Sequence, residues 1–517
     1  MSSRRWLNGI LAAVVAGLLL LRFAAIERDP PGGILSSSGA FVTDEGYYLK
    51  AAALCHSFGS WQSEHDPNWC VFAPLYSLLI VAMGYAFHPL LVPARYLSVA
   101  CSVGCIAAFY AVCRRARSRV ESLVCCFLAA AAFDNFAFSR LAFVEPTGTL
   151  FGLLALYFWV GWRGRWLWAA ASCACAAAAM LVKFNLIYTP VTVGLLWSWE
   201  AWEAWRKGDR RRALGIGGVL AATACLGGLV VAFALSVPGE ARNLRSSAGG
   251  SAAVSSACDV LAHEAQLFWY YSLSSWRRAL VVAAALGIAC WFARGRGRPR
   301  STPEHAASAR PLAAMVVWGG VGMLFFGFFE YQVPRWLYFT IYPFAYVAVS
   351  ILARVAPPRR RGVVLGLLVA GHLLSQAPAV SRYMARPPGT SLLDMVRDVA
   401  RRLEAEQSPV VLAGNRSYLV GVFSTHVRPI AGEQFDVEQM RRSMRHWRPA
   451  YVLASRRERD VLLRECGDLF AAFHPVHSYP LIANYLDGYD VVLFRIEYRE
   501  AAPVGASPPL SPGSVGK

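Results

Sequence analysis

The chain alternates long apolar runs with short basic loops. The first run is Trp6 to Ile26. After a polar stretch over 27–71, further runs occupy 94–113, 120–138, 147–162, 167–187, 189–205, 213–236, 278–293, 311–329, 336–353 and 362–380. Each is near the length a helix needs to cross a hydrocarbon core of about 30 Å, so the pattern predicts about eleven transmembrane helices. One more apolar stretch, 72–90, contains Pro74 and no Lys, Arg, Asp or Glu, and its placement decides the sidedness of everything after it. Twenty of the twenty-eight Lys and Arg residues between 91 and 380 fall in one alternate set of loops (114–119, 163–165, 206–212, 294–310 and 354–361), and eight in the other set. Basic loops stay cytoplasmic, and so do Arg4 and Arg5. Both hold only if 72–90 lies in the plane of the outer interface instead of spanning. The N-terminus is then cytoplasmic and the chain beyond 380 extracytoplasmic. The first run follows two arginines as a signal peptide does, but it is long and has no clear small-residue cleavage site, so it reads as a retained anchor.

Composition agrees with this reading and narrows the partners. Of 517 residues, 56% are hydrophobic and 16% charged, which places the chain in a lipid bilayer. The net charge of +19 comes almost wholly from Arg scattered over many loops. That distribution orients membrane helices, and with no nucleic-acid-binding motif it argues against a nucleic-acid partner. Most of the thirteen Cys lie inside apolar runs and act as small hydrophobes, whereas Cys55 and Cys70 flank a polar loop and can pair in an oxidising compartment. The Ser- and Gly-rich stretch 238–277 turns aromatic towards its end and reads as an outer flap, and 294–311 as a cytoplasmic linker. From about 384, after Pro387-Pro388-Gly389, helical periodicity over 392–404 gives way to strand patterns at 410–413, 451–454 and 491–494 with helices between. This predicts a membrane domain over 1–383, a soluble α/β domain with a mainly parallel sheet over 384–500, and a disordered tail over 501–517. No GxGxxG follows the first strand, so nothing supports dinucleotide binding.

Chemistry concentrates on the outer side. Thr43-Asp44-Glu45-Gly46-Tyr47-Tyr48 follows the first run closely. With Thr43 as N-cap, Asp44 and Glu45 occupy the first turn of a short helix, where the dipole favours ionised carboxylates. They read either as solvated acids at a helix start or as a base and a metal ligand at the membrane surface. Asp134, Asn135, Arg140 and Glu145 surround the end of the third run, Lys183 and Asn185 close the fifth, and Glu330, Gln332, Arg335 and Tyr338 mark a later outer turn. Ionisable groups at membrane depth cost about 2.5–3.5 kcal/mol each, so they pair or line a cavity. Singly, each is more often an interfacial anchor; together they outline a hollow that opens outward. Transfer of a group from a lipid phosphate to a hydroxyl needs cations or a metal for the phosphate and a base for the hydroxyl. Phosphate leaves readily, so one carboxylate base and basic phosphate contacts suffice. A transporter or flippase for a lipid-linked or anionic solute would use the same hollow, but no internal repeat or matched pair of broken helices is evident. His56, Glu64, His65 and Asp66 match no standard metal-ligand spacing.

These residues resemble a family. Asp44-Glu45-x-x-Tyr48, Ser139-Arg140-x-x-x-x-Glu145-Pro146, Leu-Val-Lys183-Phe-Asn185 and Pro334-Arg335-Trp-Leu are similar, in order and spacing over residues 1–380, to the successive motifs of C-type (GT-C) glycosyltransferases. The similar subgroup holds protein O-mannosyltransferases and the lipid A aminoarabinose transferase. The resemblance implies a polyprenyl-phosphate sugar as donor, an acceptor hydroxyl on lipid, glycan or protein, and inversion at the sugar. It implies Asp44 as catalytic base, Glu45 as its helper or a metal ligand, and Glu145 at a position usually held by Asp. Lys183, Arg335, Arg140 and Tyr48 would then bind the donor phosphate, with Tyr338 and Asn185 in the substrate cavity and a divalent metal ion left open. Where relatives carry a basic run before the interfacial helix, this chain has Cys70-Val71-Phe72-Ala73-Pro74, so one usual phosphate contact is missing.

Overall fold

In the computed structural model, the described residues are 2–28, 43–61, 73–236, 303–327, 338–357, 359–385, 392–414, 416–430, 437–479 and 491–499. The chain opens with α1 (Ser2–Leu21), α2 (Thr43–Phe58) and α3 (Pro74–Gly84). The bundle continues through α4 (Leu91–Arg114), α5 (Arg119–Ala131), α6 (Phe133–Ser139), α7 (Val144–Gly161), α8 (Trp166–Val182), α9 (Tyr188–Arg206), α10 (Arg210–Ser236), α11 (Pro303–Gly327), α12 (Ile341–Val355) and α13 (Arg361–Met384). Helix α3 has 11 residues and is about 17 Å long, too short to cross. Its N-terminal turn begins at Pro74, where the missing N–H costs nothing.

By length and composition, α4, α10 over Arg210–Leu229, the segment Tyr338–Val355 and α13 can each cross a bilayer, and the bent pair α5 and α6 makes a fifth. Only the described residues enter that number, and the expectation of about eleven includes runs beyond them. Helix α8 has 17 residues, helix α9 carries Glu200, Glu203 and Arg206 along its length, and the run 278–293 lies outside the described residues. The flap 238–277 and the tail 501–517 also lie outside them. Within the supposed linker 294–311, residues from Pro303 onward are already helical, and Arg310 there pairs with buried Glu200 of α9.

The third apolar run is not one straight helix. Helices α5 and α6 meet at 62°, with Ala132 extended between them (φ −61, ψ 125). No Pro or Gly causes the break; side chains take over the backbone bonds it opens. Asn135 Nδ2 donates to Ala129 O at 2.8 Å, Arg22 Nη2 donates to Ala130 O at 2.8 Å, and Phe133 N donates to Gln376 Oε1 at 2.9 Å. Broken backbone at membrane depth is tolerated where protein groups satisfy it in this way. Arg22, at the end of α1, thus reaches the end of α5. Arg140, at the end of α6, returns the contact: its guanidinium donates to the carbonyls of Leu21, Arg22, Ala24 and Ala25 at 2.6–3.2 Å.

The C-terminal domain comprises α14 (Leu392–Glu404), β1 (Val410–Ala413), α15 (Ser417–Phe423), β2 (Val427–Ile430), α16 (Val437–Trp447), β3 (Tyr451–Ser455), α17 (Arg456–Cys466), β4 (Phe470–Tyr479) and β5 (Val491–Tyr498). The sheet order is β2-β1-β3-β5-β4. The three strands β2, β1 and β3 are parallel, while β5 runs antiparallel to β3 and β4 antiparallel to β5. The expectation of a mainly parallel sheet is therefore corrected to a mixed one. Both edge strands carry a proline, Pro429 in β2 and Pro475 in β4, which a strand tolerates only at an edge. Ser455 and Glu458 form a capping box at the start of α17, and Glu458 also receives both hydrogen bonds of Arg416 at 2.9 and 2.8 Å. That pair fastens the start of α15 to the sheet. One apolar core runs from the bundle through Leu49, Ala52 and Ala53 of α2 into α14 and α15. A second, around Met440, Met444, Leu462 and Phe470, belongs to the domain alone.

Candidate active site

Helix α2 begins at Thr43 and extends to Phe58, longer than the short helix expected. Asp44 and Glu45 fall in its first turn; the side chain of Asp44 and the whole of Arg335 lie outside the described residues. Glu45 is 1% exposed. Arg95, in the first turn of α4, donates to it through Nε at 2.9 Å and Nη2 at 2.7 Å, and the Ala142 N–H adds a third bond at 2.7 Å. The remaining Arg95 Nη1 holds Ile26 O at 3.0 Å. This fork joins α2, α4, the end of the first span and the turn between α6 and α7. Glu45 is not a solvated acid. Both its oxygens take charge-assisted bonds from Arg95, which fasten it in place.

Glu145 sits in the first turn of α7, where an acid is favoured by the helix dipole. Helix α8 ends at Val182 because Lys183 is extended (φ −163, ψ 131), and this turns the lysine back onto Glu145 Oε1 at 2.9 Å. The Lys183 ammonium also lies 5.3 Å from the Tyr48 ring centroid, a distance at which the ring face attracts a cation. Tyr48 is held edge-on by Tyr76 of α3 and Phe143. Asn185, on the 3-10 turn Phe184–Leu186, keeps its Oδ1 buried with no hydrogen-bond partner among the described residues. Glu145, Lys183, Tyr48 and Asn185 therefore come together around one turn. Asp44 precedes Tyr48 by four residues, one helical turn on the same face.

Two expected residues are placed elsewhere. Arg140, expected in the donor-phosphate set, lies against the end of α1. Its guanidinium is fully buried, caps the end of α1, and is sandwiched by Phe136 at 5.3 Å and Tyr383 at 4.9 Å. Arg140→Ala is expected to cost at least about 2–3 kcal/mol, read as a lower thermal midpoint, with donor KM unchanged; a rise in KM without destabilisation would restore the phosphate role. Tyr338, expected in the substrate cavity, is 2% exposed and donates to Ser102 Oγ at 3.0 Å, the same hydroxyl that Arg22 engages, so it ties helices together. Sequence reasoning missed Arg95 as the partner of Glu45. The available signal was a lone arginine at the head of an apolar run, with an acidic pair in the polar stretch before it.

Among the described residues no three His, Cys, Asp or Glu side chains gather as a metal site. Glu64, His65, Asp66 and Cys70 lie outside those residues, and Cys55 is a free thiol. His56 instead donates through Nε2 to Val81 O at 3.0 Å and lies edge-on to Tyr85. Its ring fills the space over Gly84, where a Cβ would collide, so α2 and α3 are locked at their far ends.

Residues 78–237 match the family described as Dolichyl-phosphate-mannose-protein mannosyltransferase. The whole chain is similar in structure to ArnT from Cupriavidus metallidurans. Against the form bound to undecaprenyl phosphate the TM-score is 0.53 at 14% identity, covering 94% of this chain and 97% of that one; against the apo state it is 0.55 at 15%, covering 96% and 98%. The archaeal oligosaccharyltransferase AglB from Archaeoglobus fulgidus, in complex with an inhibitory peptide and a dolichol-phosphate, gives 0.52 at 11%, covering 96% of this chain and 77% of that chain. Comparison with curated proteins finds no significant match. Residues 78–237 are thus similar to that mannosyltransferase family, the chain shares the fold of ArnT and AglB, and several of its helices are long and apolar enough to cross a membrane.

Proposed function

We propose that this protein moves a sugar from a polyprenyl-phosphate donor to an acceptor hydroxyl at the extracytoplasmic face of the plasma (inner) membrane, in an eleven-span arrangement with the N-terminus cytoplasmic and the C-terminal domain outside. The observation that carries the reading is the partly buried Lys183 ammonium, bracketed by Glu145 Oε1 and the Tyr48 ring, one turn from Asp44. The undecaprenyl phosphate bound by ArnT and the dolichol-phosphate bound by AglB support a lipid phosphate as the donor's carrier.

In this reading Asp44 takes the proton of the acceptor hydroxyl as its oxygen forms a bond to the anomeric carbon. The bond from that carbon to the phosphate oxygen breaks in the same displacement, and the lipid phosphate leaves with the electron pair. A single displacement inverts the anomeric centre. Lys183, with Arg335, takes up charge growing on the phosphate. Glu145 keeps Lys183 aimed, Tyr48 bounds its reach, and Asn185 offers a buried carbonyl oxygen to a sugar hydroxyl. Glu45 and Arg95 fix the turn that carries Asp44.

Purified full-length protein incubated with a panel of polyprenyl-phosphate sugars should release lipid phosphate from at least one of them. With that donor, Lys183→Met should raise KM by roughly ten- to a hundredfold, the value of a lost charge-assisted contact. No release from any donor sinks the reading, and an unchanged KM removes Lys183 from the phosphate site.

A further inference from the structure

Helix α2 is gripped from two sides, and the second grip comes from the C-terminal domain. Glu45, Tyr48 and Leu49 turn towards the bundle, where Arg95, Tyr76 and Phe143 hold them. Gly46, Tyr47 and Lys50, spaced as one helical face, turn towards α15. Gly46 leaves no gap there: a Cβ would lie 2.9 Å from both Leu419 N and Tyr418 Cβ. The Tyr47 and Tyr418 rings are 4.8 Å apart between centroids. Lys50, 2% exposed, places Nζ 4.6 Å from the centroid of the Tyr418 ring. Tyr418 is itself fully buried, on a helix whose start is anchored to the sheet through Arg416 and Glu458.

We propose that Tyr418 is a positioning residue for the transfer reaction, and that the C-terminal domain is a working part of the site instead of an appended module. Docked on Gly46, Tyr47 and Lys50, Tyr418 fixes the rotation of the first turn of α2 and so the direction in which Asp44 is presented. This rests on Asp44 being the base. Displacement of about 1 Å at a reacting group costs about a hundredfold in rate, so a residue that touches no substrate can still govern turnover. The donor cation Lys183 is held from the opposite side of α2, by Glu145, so its affinity for phosphate does not depend on Tyr418.

The test uses the full-length protein in lipid nanodiscs. Tyr418→Ala should lower kcat roughly 10- to 100-fold with donor KM little changed, Tyr418→Phe should restore it because the ring suffices, and Gly46→Ala should lower kcat like Tyr418→Ala by wedging the two helices apart. Amide hydrogen exchange at 43–47 should rise in Tyr418→Ala and not in Tyr418→Phe. Wild-type kcat in Tyr418→Ala, or a loss that Tyr418→Phe shares, overturns the positioning role. So does unchanged exchange at 43–47, a readout that holds even if no donor is turned over; failure of every donor would instead strike the glycosyl-transfer reading.

Discussion

Asp44→Asn is expected to lower kcat by about 10²- to 10⁴-fold, the usual contribution of a positioned general base, and to leave donor KM nearly as in wild type. Asparagine keeps the shape and the helix start but cannot accept the acceptor's proton. In the proposed site the donor is gripped elsewhere, by the Lys183 ammonium beside Glu145, so ground-state binding of the lipid phosphate should persist. Loss of kcat and kcat/KM together, at constant KM, is the signature of a contact made only in the transition state. Single-turnover release of lipid phosphate measures it. A rise in KM with kcat intact would move Asp44 from base to donor ligand.

The second large effect lies in folding. Arg95→Leu leaves Glu45 buried beside a single amide, and breaking a buried ion pair from one side costs about 3–5 kcal/mol. Much of the protein should then fail to reach the folded, detergent-stable state, as seen by size-exclusion yield and thermal midpoint. Glu45→Gln/Arg95→Leu should recover most of that loss, because neither charge is stranded. A double-mutant cycle with no coupling would show that the fork at 2.9 and 2.7 Å contributes nothing. In the recovered double variant the fold can be intact while turnover stays low, since α2 has lost the tie that orients its first turn.

Several helix positions were legible in the sequence because apolar runs bounded by charge mark where helices start and stop: the observed ends of α4, α7, α10 and α13 lie within a few residues of the apolar runs. The break at Ala132 was not legible. Its cause is an asparagine, a glutamine and an arginine drawn from three helices, and only a tertiary arrangement brings them together. The same holds at the site. Glu145 and Lys183 stood out as charges in apolar surroundings and do meet. Glu45 stood out equally, but its chemistry depended on Arg95, 50 residues away, and the four carbonyl acceptors of Arg140 were out of view. Strands β2 and β4 were hidden by the prolines their edge positions permit.

The bend between α5 and α6 also bears on how the chain matures. The amide of Phe133 is synthesised 243 residues before its acceptor Gln376, so a nascent third span has the bonds of Asn135 and Arg22 to hold a bend but not the third. The full set of ties belongs to the finished bundle, and the last helix to enter the bilayer is the one that completes the shape of an early helix.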